Sequence, residues 1–573
     1  MLNTLQLRKA TIVRKPLTKP LLLSVAAMFL FCLPLNEAEL AVSGLHHPAF
    51  AFTIMVAVVA ITSGLLEISR QHTFRYSPLT SWLVGALVMA NLPLLYVHGD
   101  TSTSWQVLLN STGCLLFFVA LQQFSFSHSQ RQLLLWLPLL GAGLLAVPLL
   151  APSAVGKLSD TAVQLENSGW LNTHWFESLS PVLNLIPESI VMPQLAHHAS
   201  STVLLTSLPL SAYLMARTHA YKRTLTLLHF TLILIPMITV CALMAMRQPW
   251  LVTAALAAVM LVQPFLFRYA RKIHQGLWNL SVLWGFWFSG LAGWLPDDAL
   301  LAPILSQEQN QLFAQILLLI EAYPFQGTGD GMLTQSMLLF GLENGQVLTI
   351  PPLFPGWAIA WVATGGVSVL VAMIIVIVAT GFRLISAPKG TRLILATIIA
   401  PSLIAMLTTS YSAANPALTL LLIIVMFWFD QLTGRYKKVK VAKTRPMVWF
   451  SATAMTACFM LVISSVLIAE QAVRPGALSD RALNIFRIHP WWQDYMVQEQ
   501  ERRQFINDVA EDNGKKIEHY LQFKLNHVAR FPDAKGYQEI IDLTMMLGRE
   551  QHALQLQKEA IMLFPAHHFE PKR

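Results

Sequence analysis

The sequence predicts an all-α, polytopic membrane helix bundle with a helical C-terminal domain. The chain of 573 residues is 55% hydrophobic and only 12% charged, which is far from the average of soluble proteins. About thirteen apolar runs approach the roughly 20 residues that a membrane-spanning helix needs. Residues 470–573 are instead charged and contain no apolar run of that length. These observations together predict a membrane domain followed by a tail outside the membrane.

The apolar runs begin close to the N-terminus and continue to the start of the tail. Basic residues precede the first run, which is also the pattern of a signal peptide. No clear small-residue cleavage site follows it, and many further runs do, so we expect a retained first helix. The predicted spans lie near residues 18–36, 48–67, 80–97, 104–126, 132–152, 200–216, 224–246, 249–267, 277–295, 356–380, 391–409, 413–431 and 448–469.

Basic residues test this count, because they concentrate on cytoplasmic loops. With the N-terminus inside, the cytoplasmic loops hold nearly all of them, including the segment "RYKKVKVAKTR" at 435–445. Before the tail, the opposite loops hold only Lys157 and Arg247. The formal charge of +9 is therefore better explained by basic cytoplasmic loops than by nucleic-acid binding. We expect membrane lipids as partners and no nucleic acid.

This topology places three pieces on the outer face: loop 153–199, loop 296–355 and the tail 470–573. We therefore divide the chain into a transmembrane domain, residues 1–469, and an outer helical tail, residues 470–573. The four cysteines all lie inside apolar runs, which predicts neither a disulfide framework nor a metal site.

The tail contains a pattern typical of tetratricopeptide (TPR) repeats, in the stretch "YQEIIDLTMMLGREQHALQLQKEAIMLFP". We expect the small residues Gly548 and Ala553 to let two antiparallel helices approach closely, and Pro565 to end the second helix. A generic helical hairpin is the alternative. Because such repeats usually bind peptides, the tail predicts a peptide or protein partner.

Two groups of polar residues stand out on the outer face. Arg247 lies between two spans, and a guanidinium there is either a ligand for a lipid-linked phosphate or a snorkelling charge paired with an acidic loop residue. Gln194, His197 and His198 lie at the mouth of a span. Adjacent histidines can bind a metal, but neighbouring helix positions diverge by about 100°, so an interfacial polar cap is the favoured interpretation.

A glycine-rich stretch, "AYPFQGTGDGMLTQSM" at 322–337, lies in the second outer loop. Gly327, Gly329 and Gly331 permit a tight turn, and such a turn can bind a phosphate through backbone N–H groups. No Gly-Lys-Ser/Thr follows, so it is not a P-loop. Asp330 is the acidic residue within the turn, and loop 296–355 contains no Lys, Arg or His.

Three motifs resemble those of the Wzy-like membrane superfamily, which includes the bacterial O-antigen ligases and the pilin-type protein O-oligosaccharyltransferases. The first resembles Gln-x-Asn-His-x-Ala and the second resembles Ser-Arg at the start of a later span. The third resembles His-Pro followed by Gly-x-Gly-x-Gly. The matching residues are Gln194, His197, Ala199, Arg247, Pro324, Gly327, Gly329 and Gly331.

The chain departs from the family pattern at several positions. Tyr323 replaces the His before the glycine turn, and a family Arg falls at Gln309. A His-x-His-Asn motif normally ends the large loop, but Phe354 and Pro355 occupy its place here, and Ala363 occupies that of a following Glu. The resemblance is therefore also compatible with a superfamily member that has lost its catalytic residues.

The resemblance implies a GT-C-like enzyme of the bacterial inner membrane, with a cytoplasmic N-terminus and a periplasmic tail. It would transfer a glycan from a polyprenyl-pyrophosphate carrier to a hydroxyl of an acceptor protein or of lipid A-core, without metal or cofactor.

Arg247 and His197 would be catalytic, whereas Gln194, the three glycines and Asp330 would bind substrate. The base candidates are Glu321, Asp330 and His197. The alternative is a non-catalytic membrane scaffold that binds a partner in envelope or pilus assembly. A transporter is disfavoured, because few charged residues lie mid-span.

Overall fold

The fold is taken from a computed structural model. The residues that it describes are 17–33, 48–95, 101–167, 197–218, 227–246, 249–268, 272–291, 307–343, 357–387, 392–393, 395–400, 416–434, 436–473, 478–486, 489, 492–509, 514–530, 533–564 and 567–569.

The first part of the chain forms nine long helices and one short strand among the described residues. Helix α1 continues into a π-helical turn at Met28–Cys32. These elements are α1 (Thr18–Ala27), α2 (Pro48–Gln71), β1 (Thr73–Tyr76), α3 (Pro78–Ala90), α4 (Thr101–Gln122), α5 (His128–Asn167), α6 (His197–Thr218), α7 (Leu227–Ala245), α8 (Pro249–Leu266) and α9 (Lys272–Leu291).

The second part begins with two helices of the large loop and ends with the helical tail. Its elements are α10 (Gln307–Ala322), α11 (Leu333–Glu343), α12 (Trp357–Ser386), α13 (Pro416–Thr433), β2 (Lys437–Lys440), α14 (Arg445–Val473), α15 (Asp480–Phe486), α16 (Gln493–Val509), α17 (Gly514–Arg530), α18 (Ala534–Met546) and α19 (Glu550–Leu563).

The predicted all-α membrane fold is confirmed. Six of the described helices are long and apolar enough to cross a membrane, and several shorter ones are also apolar. The count of about thirteen spans is not confirmed and stays a prediction. The six helical stretches are Ala51–Gln71, Pro78–Leu95, Ser104–Gln122, Ser129–Val147, Ala358–Ser386 and Arg445–Ile468.

One large apolar core joins these helices. It runs through α1, α2, α4 to α9, the end of α12, and α13. Helix α14 packs along α2, and α12 packs along α3. Close approach uses small residues: a Cβ on Gly64 of α2 would lie 2.6 Å from the Cβ of Ala120 on α4. All four cysteines are free thiols.

A two-stranded sheet is a feature that the sequence analysis missed. β1 follows α2 directly, β2 precedes α14, and the two strands pair antiparallel. The outer edge of β1 is covered by the side chain of Gln123, whose amide bonds both the N–H and the carbonyl of Arg75 at 2.9 Å. The sheet therefore ties the end of α2, the end of α4 and the start of α14 to one end of the bundle.

The tail is a row of helices with its own core. α16 packs on α17, α17 on α18 and α18 on α19, and α17 also contacts α11 of the large loop. The predicted helical tail is thus observed, whereas its relation to tetratricopeptide repeats stays a prediction. Residues at the centre of the core are Tyr520, Ile540, Ile541, Ala553 and Ala560.

Gly548 does not have the predicted role. Ala553 is buried between the helices, but a Cβ on Gly548 would have no atom within 4 Å. Gly548 instead adopts a φ of 72° just after α18, where the Arg549 N–H bonds the Thr544 carbonyl and its own N–H bonds the Met545 carbonyl. This is the Schellman pattern of a helix C-terminus. Glycine is needed there for its backbone conformation and not for close helix packing.

Candidate active site at the glycine turn

The glycine turn joins α10 to α11. Pro324 follows the end of α10, and the three glycines then all have positive φ: 69° at Gly327, 92° at Gly329 and 78° at Gly331. Residues with a Cβ rarely adopt this region, so the spacing of the glycines sets the path of the turn. The predicted tight turn is therefore formed by these three residues.

The turn is bound to a break in the membrane-length helix α12. Gly366 has a φ of 65° and a ψ of −150° inside this helix. The break frees backbone groups that would otherwise bond within the helix, and such groups need partners at membrane depth. The turn supplies them: the Thr328 N–H bonds the Ala363 carbonyl, and the Val367 N–H bonds the Pro324 carbonyl, each at 2.9 Å.

Two glycines make this contact possible. A Cβ on Gly327 would lie 2.4 Å from the Thr364 carbonyl oxygen, and a Cβ on Gly366 would lie 2.5 Å from the Phe325 carbonyl oxygen. Both distances are too short for any side chain, and the neighbouring atoms are backbone. The turn and the break therefore fit together only while both positions are glycine.

This arrangement uses the N–H groups that a bound phosphate would need. The Gly327 N–H donates to the Tyr323 carbonyl at 3.0 Å, and the Gly329 N–H donates to the Thr364 carbonyl at 2.9 Å. These groups are not free to bind a phosphate oxygen. A part for Gly327, Gly329 and Gly331 in substrate binding stays a prediction, and it requires other atoms than these N–H groups.

Asp330 lies beside the start of α4. Its half-buried carboxylate accepts a hydrogen bond from the side chain of Ser104, in the first turn of that helix. Burial raises the pKa of the Asp330 carboxyl above its ordinary value of 3.8, and the Ser104 hydrogen bond acts in the opposite direction. A carboxylate whose pKa is raised is a better proton acceptor near neutral pH.

Buried polar atoms without a hydrogen-bond partner occur in the turn and on the two helices that flank it. Within the described residues, the side-chain oxygens of Gln315 on α10, Thr328 in the turn and Gln335 on α11 are buried and have no hydrogen-bond partner. Buried polar atoms in native proteins are normally paired with protein, water or ligand. These three oxygens therefore have hydrogen-bonding capacity that no described residue uses.

Three predicted site residues cannot be placed relative to the turn. Gln194 and Arg247 lie outside the described residues. His197 is the first residue of α6, but its side chain is not described. The structure thus brings together Gly327, Gly329, Gly331 and Asp330, and the positions of the other three side chains stay predictions. Phe354 and Pro355 also lie outside the described residues.

The sequence analysis missed two contributors to this site. Gly366 forms the break in α12, and the adjacent pair Gly365–Gly366 within an apolar run was the available signal. Ser104 bonds Asp330 from a helix far away in the sequence, and nothing local pointed to it. Of the acidic base candidates, Glu321 is exposed on α10, whereas Asp330 is held by the fold.

A buried charge cluster holds the opposite end of α4 and α12. Asp430 on α13 is fully buried, and its carboxylate lies 3.4 Å from the guanidinium of Arg383 near the end of α12. It also accepts hydrogen bonds from the Gln122 amide at 3.0 Å and the Tyr436 hydroxyl at 2.8 Å. Burial and the neighbouring Asp430 carboxylate raise the pKa of Tyr436, which therefore stays a hydrogen-bond donor.

Comparison with known protein families matches the C-terminal part of the chain. No curated protein matches the chain. Residues 414–573 match a family described as virulence factor membrane-bound polymerase, C-terminal. The matched region contains α13, the strand β2, α14 and the whole tail, and it does not include the glycine turn. The match confirms the resemblance of this chain to the Wzy-like O-antigen ligase superfamily.

Proposed function

We propose that this protein transfers a glycan from a polyprenyl-pyrophosphate carrier to an acceptor hydroxyl on the periplasmic face of the bacterial inner membrane. The observation that carries the proposal is the match of residues 414–573 to a family of membrane-bound polymerases. The motifs around Gln194, Arg247 and the glycine turn support it from the remainder of the chain. The acceptor is a protein or lipid A-core.

In this reaction Asp330 is the proposed base. The acceptor hydroxyl gives its proton to the Asp330 carboxylate while its oxygen forms a bond to the anomeric carbon of the glycan. The bond from that carbon to the carrier phosphate breaks, and the polyprenyl pyrophosphate leaves with the bonding electrons. Two observations support this role: the Ser104 hydrogen bond fixes the position of the carboxylate, and burial raises its pKa.

Arg247 is the proposed partner of the leaving group. Negative charge develops on the pyrophosphate in the transition state, and a guanidinium stabilises it through two parallel hydrogen bonds. Arg247→Ala should abolish transfer while leaving insertion intact. Arg247→Lys should restore only part, because an ammonium cannot reproduce the bidentate geometry.

The base assignment is tested by transfer of a lipid-linked glycan to a hydroxyl acceptor, using the purified protein. Asp330→Asn keeps the shape of the side chain and removes its basicity, so we expect the rate to fall by about 10²–10⁴-fold. Glu321→Gln is the matched control, since this acid is exposed on the neighbouring helix. A wild-type rate in Asp330→Asn would remove Asp330 from the mechanism.

A second candidate is a scaffold that binds a partner without catalysis. It is favoured by the use of the turn's N–H groups within the fold and by the separate core of the tail. Under this function, Arg247→Ala would be silent in a phenotypic assay. Deletion of residues 470–573 would remove the phenotype, and a purified tail partner would replace the glycan carrier as the ligand.

A further inference from the structure

One face of the β1–β2 sheet carries two positive charges directly opposite each other. Arg75 lies directly opposite Lys438 in the antiparallel register, and Lys440 lies two positions further along on the same face. Like charges directly opposite each other destabilise a sheet. We refer to Arg75, Lys438 and Lys440 as the cationic face.

No described carboxylate compensates this face. Lys438 and Lys440 are exposed and make no ion pair with any residue that the structure describes. The guanidinium of Arg75 lies 5.6 Å from the ring centre of Tyr436, and its Nε is buried with no hydrogen-bond partner in the described part of the chain. Three like charges on one face without a described counter-ion favour the binding of an anion from outside the fold.

The position of the sheet relative to the membrane helices identifies the source of that anion. β1 directly follows the membrane-length stretch Ala51–Gln71, and β2 shortly precedes Arg445–Ile468. Trp449, near the start of the latter, is 72% exposed. Trp side chains are enriched at the membrane–water interface. The cationic face thus lies where lipid headgroups are expected.

We propose that the cationic face binds the phosphate of an anionic phospholipid headgroup. Lys438 and Lys440 provide ammonium groups from one strand, and Arg75 provides a guanidinium from the other. Polybasic segments next to a membrane-spanning helix attract anionic lipids. Here strand pairing holds the cations in a fixed arrangement, so the site binds individual lipids and does not merely attract a charged surface.

The test uses the full-length protein purified in a neutral detergent. Phosphatidylglycerol is titrated, and bound lipid is counted by native mass spectrometry. Phosphatidylcholine and inorganic phosphate serve as separate arms. The variant is Lys438→Gln with Lys440→Gln. Its matched control is Lys535→Gln with Lys558→Gln, which removes the same charge from exposed positions in the tail.

We expect the cationic-face variant to bind phosphatidylglycerol about 25-fold more weakly, from about 1 kcal/mol for each lysine. The tail control should keep wild-type binding. In the absence of lipid, Lys438→Gln alone should raise the melting temperature, because it removes the repulsion from Arg75, and saturating phosphatidylglycerol should cancel that gain. Equal losses in both double variants, or equal binding of phosphatidylcholine, would overturn the proposal. Saturation by millimolar inorganic phosphate would assign the site to a free anion instead.

Discussion

At its start, α12 is held by backbone hydrogen bonds to the glycine turn, whereas at its end Arg383 pairs with buried Asp430 through side chains. α4 is held at the same two ends, in both cases through side chains: Ser104 at its start bonds Asp330, and Gln122 at its end bonds Asp430. The start of α12 thus depends on glycine residues, and its end on a buried ion cluster. The two ends should therefore respond to different substitutions.

The largest expected effect concerns the orientation of these ends. Alkaline phosphatase is active only outside the cytoplasm. We expect a fusion after Asp480 to be active and a fusion after Lys440 to be inactive, because the basic segment before α14 is predicted to stay inside. A fusion to residue 573 controls for expression. The reverse activities would exchange the two ends and remove the glycine turn from the periplasm.

Next in size is the loss of the buried carboxylate. Asp430→Ala leaves the Arg383 guanidinium without its partner, so the free energy of unfolding should fall by about 3–5 kcal/mol. Replacing both, with Asp430→Leu and Arg383→Met, should be milder because no uncompensated charge remains. Thermal unfolding in detergent measures both. If the double variant lost more stability than the single variant, the pairing of Arg383 with Asp430 would not be what stabilises this end of the bundle.

The contact between the glycine turn and α12 is tested by Gly366→Ala. A Cβ there meets the Phe325 carbonyl and requires a strained φ, so we expect a loss of about 2–4 kcal/mol. Gly381→Ala is the matched control on the same helix, where a Cβ has no atom within 4 Å. Size-exclusion profiles and melting temperatures would report the difference. Similar behaviour of the two variants would show that the turn does not need the contact.

Gly548→Ala measures the cost of an unfavourable backbone conformation without the cost of steric crowding. This position has a positive φ but open space around it, so the cost should be only about 1–2 kcal/mol. Hydrogen exchange of α18 and α19 in the full-length protein should become faster. Gly548→Asn should have a smaller effect, because asparagine tolerates this conformation. Unchanged exchange in the alanine variant would contradict the Schellman assignment.

The smallest effect is the pH dependence from Asp330. Its pKa is raised in the folded state, so it contributes stability below its ordinary value of 3.8 and loses that contribution as pH rises through the folded pKa. Asp330→Asn should therefore melt at a higher temperature than wild type near pH 7, and this difference should disappear below pH 3.8. If the difference in melting temperature did not depend on pH, it would result from packing and not from the ionisation of Asp330.

The sequence predicted the membrane fold, the helical tail and the tight turn, because apolar runs, charge distribution and glycine spacing are local signals. It did not predict what the turn binds. The glycine spacing indicates a turn at Gly327, but it does not indicate that the backbone of Thr364 and Gly366, which lie in another helix, is its neighbour. Helix pairing is not encoded in local composition.

The end of the bundle that contains the Asp430 cluster was harder to predict, because its contacts also depend on helix pairing. Asp430 lies at the end of an apolar run, and two of its partners, Gln122 and Arg383, come from other helices. The strands were missed because each has only four residues, and the charge of β2 suggested a solvated loop. The sequence of a basic strand looks like that of a basic loop, and only the partner strand distinguishes the two.

The pairing of the glycine turn with α12 also sets an order of assembly during synthesis. The turn leaves the ribosome shortly before the helix that it joins, so this contact can form while most of the later chain is still unmade. The bond between Gln122 and Asp430 instead spans 308 positions. Contacts between distant segments form late, because a long loop must close first. The N-terminal half of α12 can thus acquire its shape during insertion, whereas the ion cluster closes only after α13 has entered the bundle.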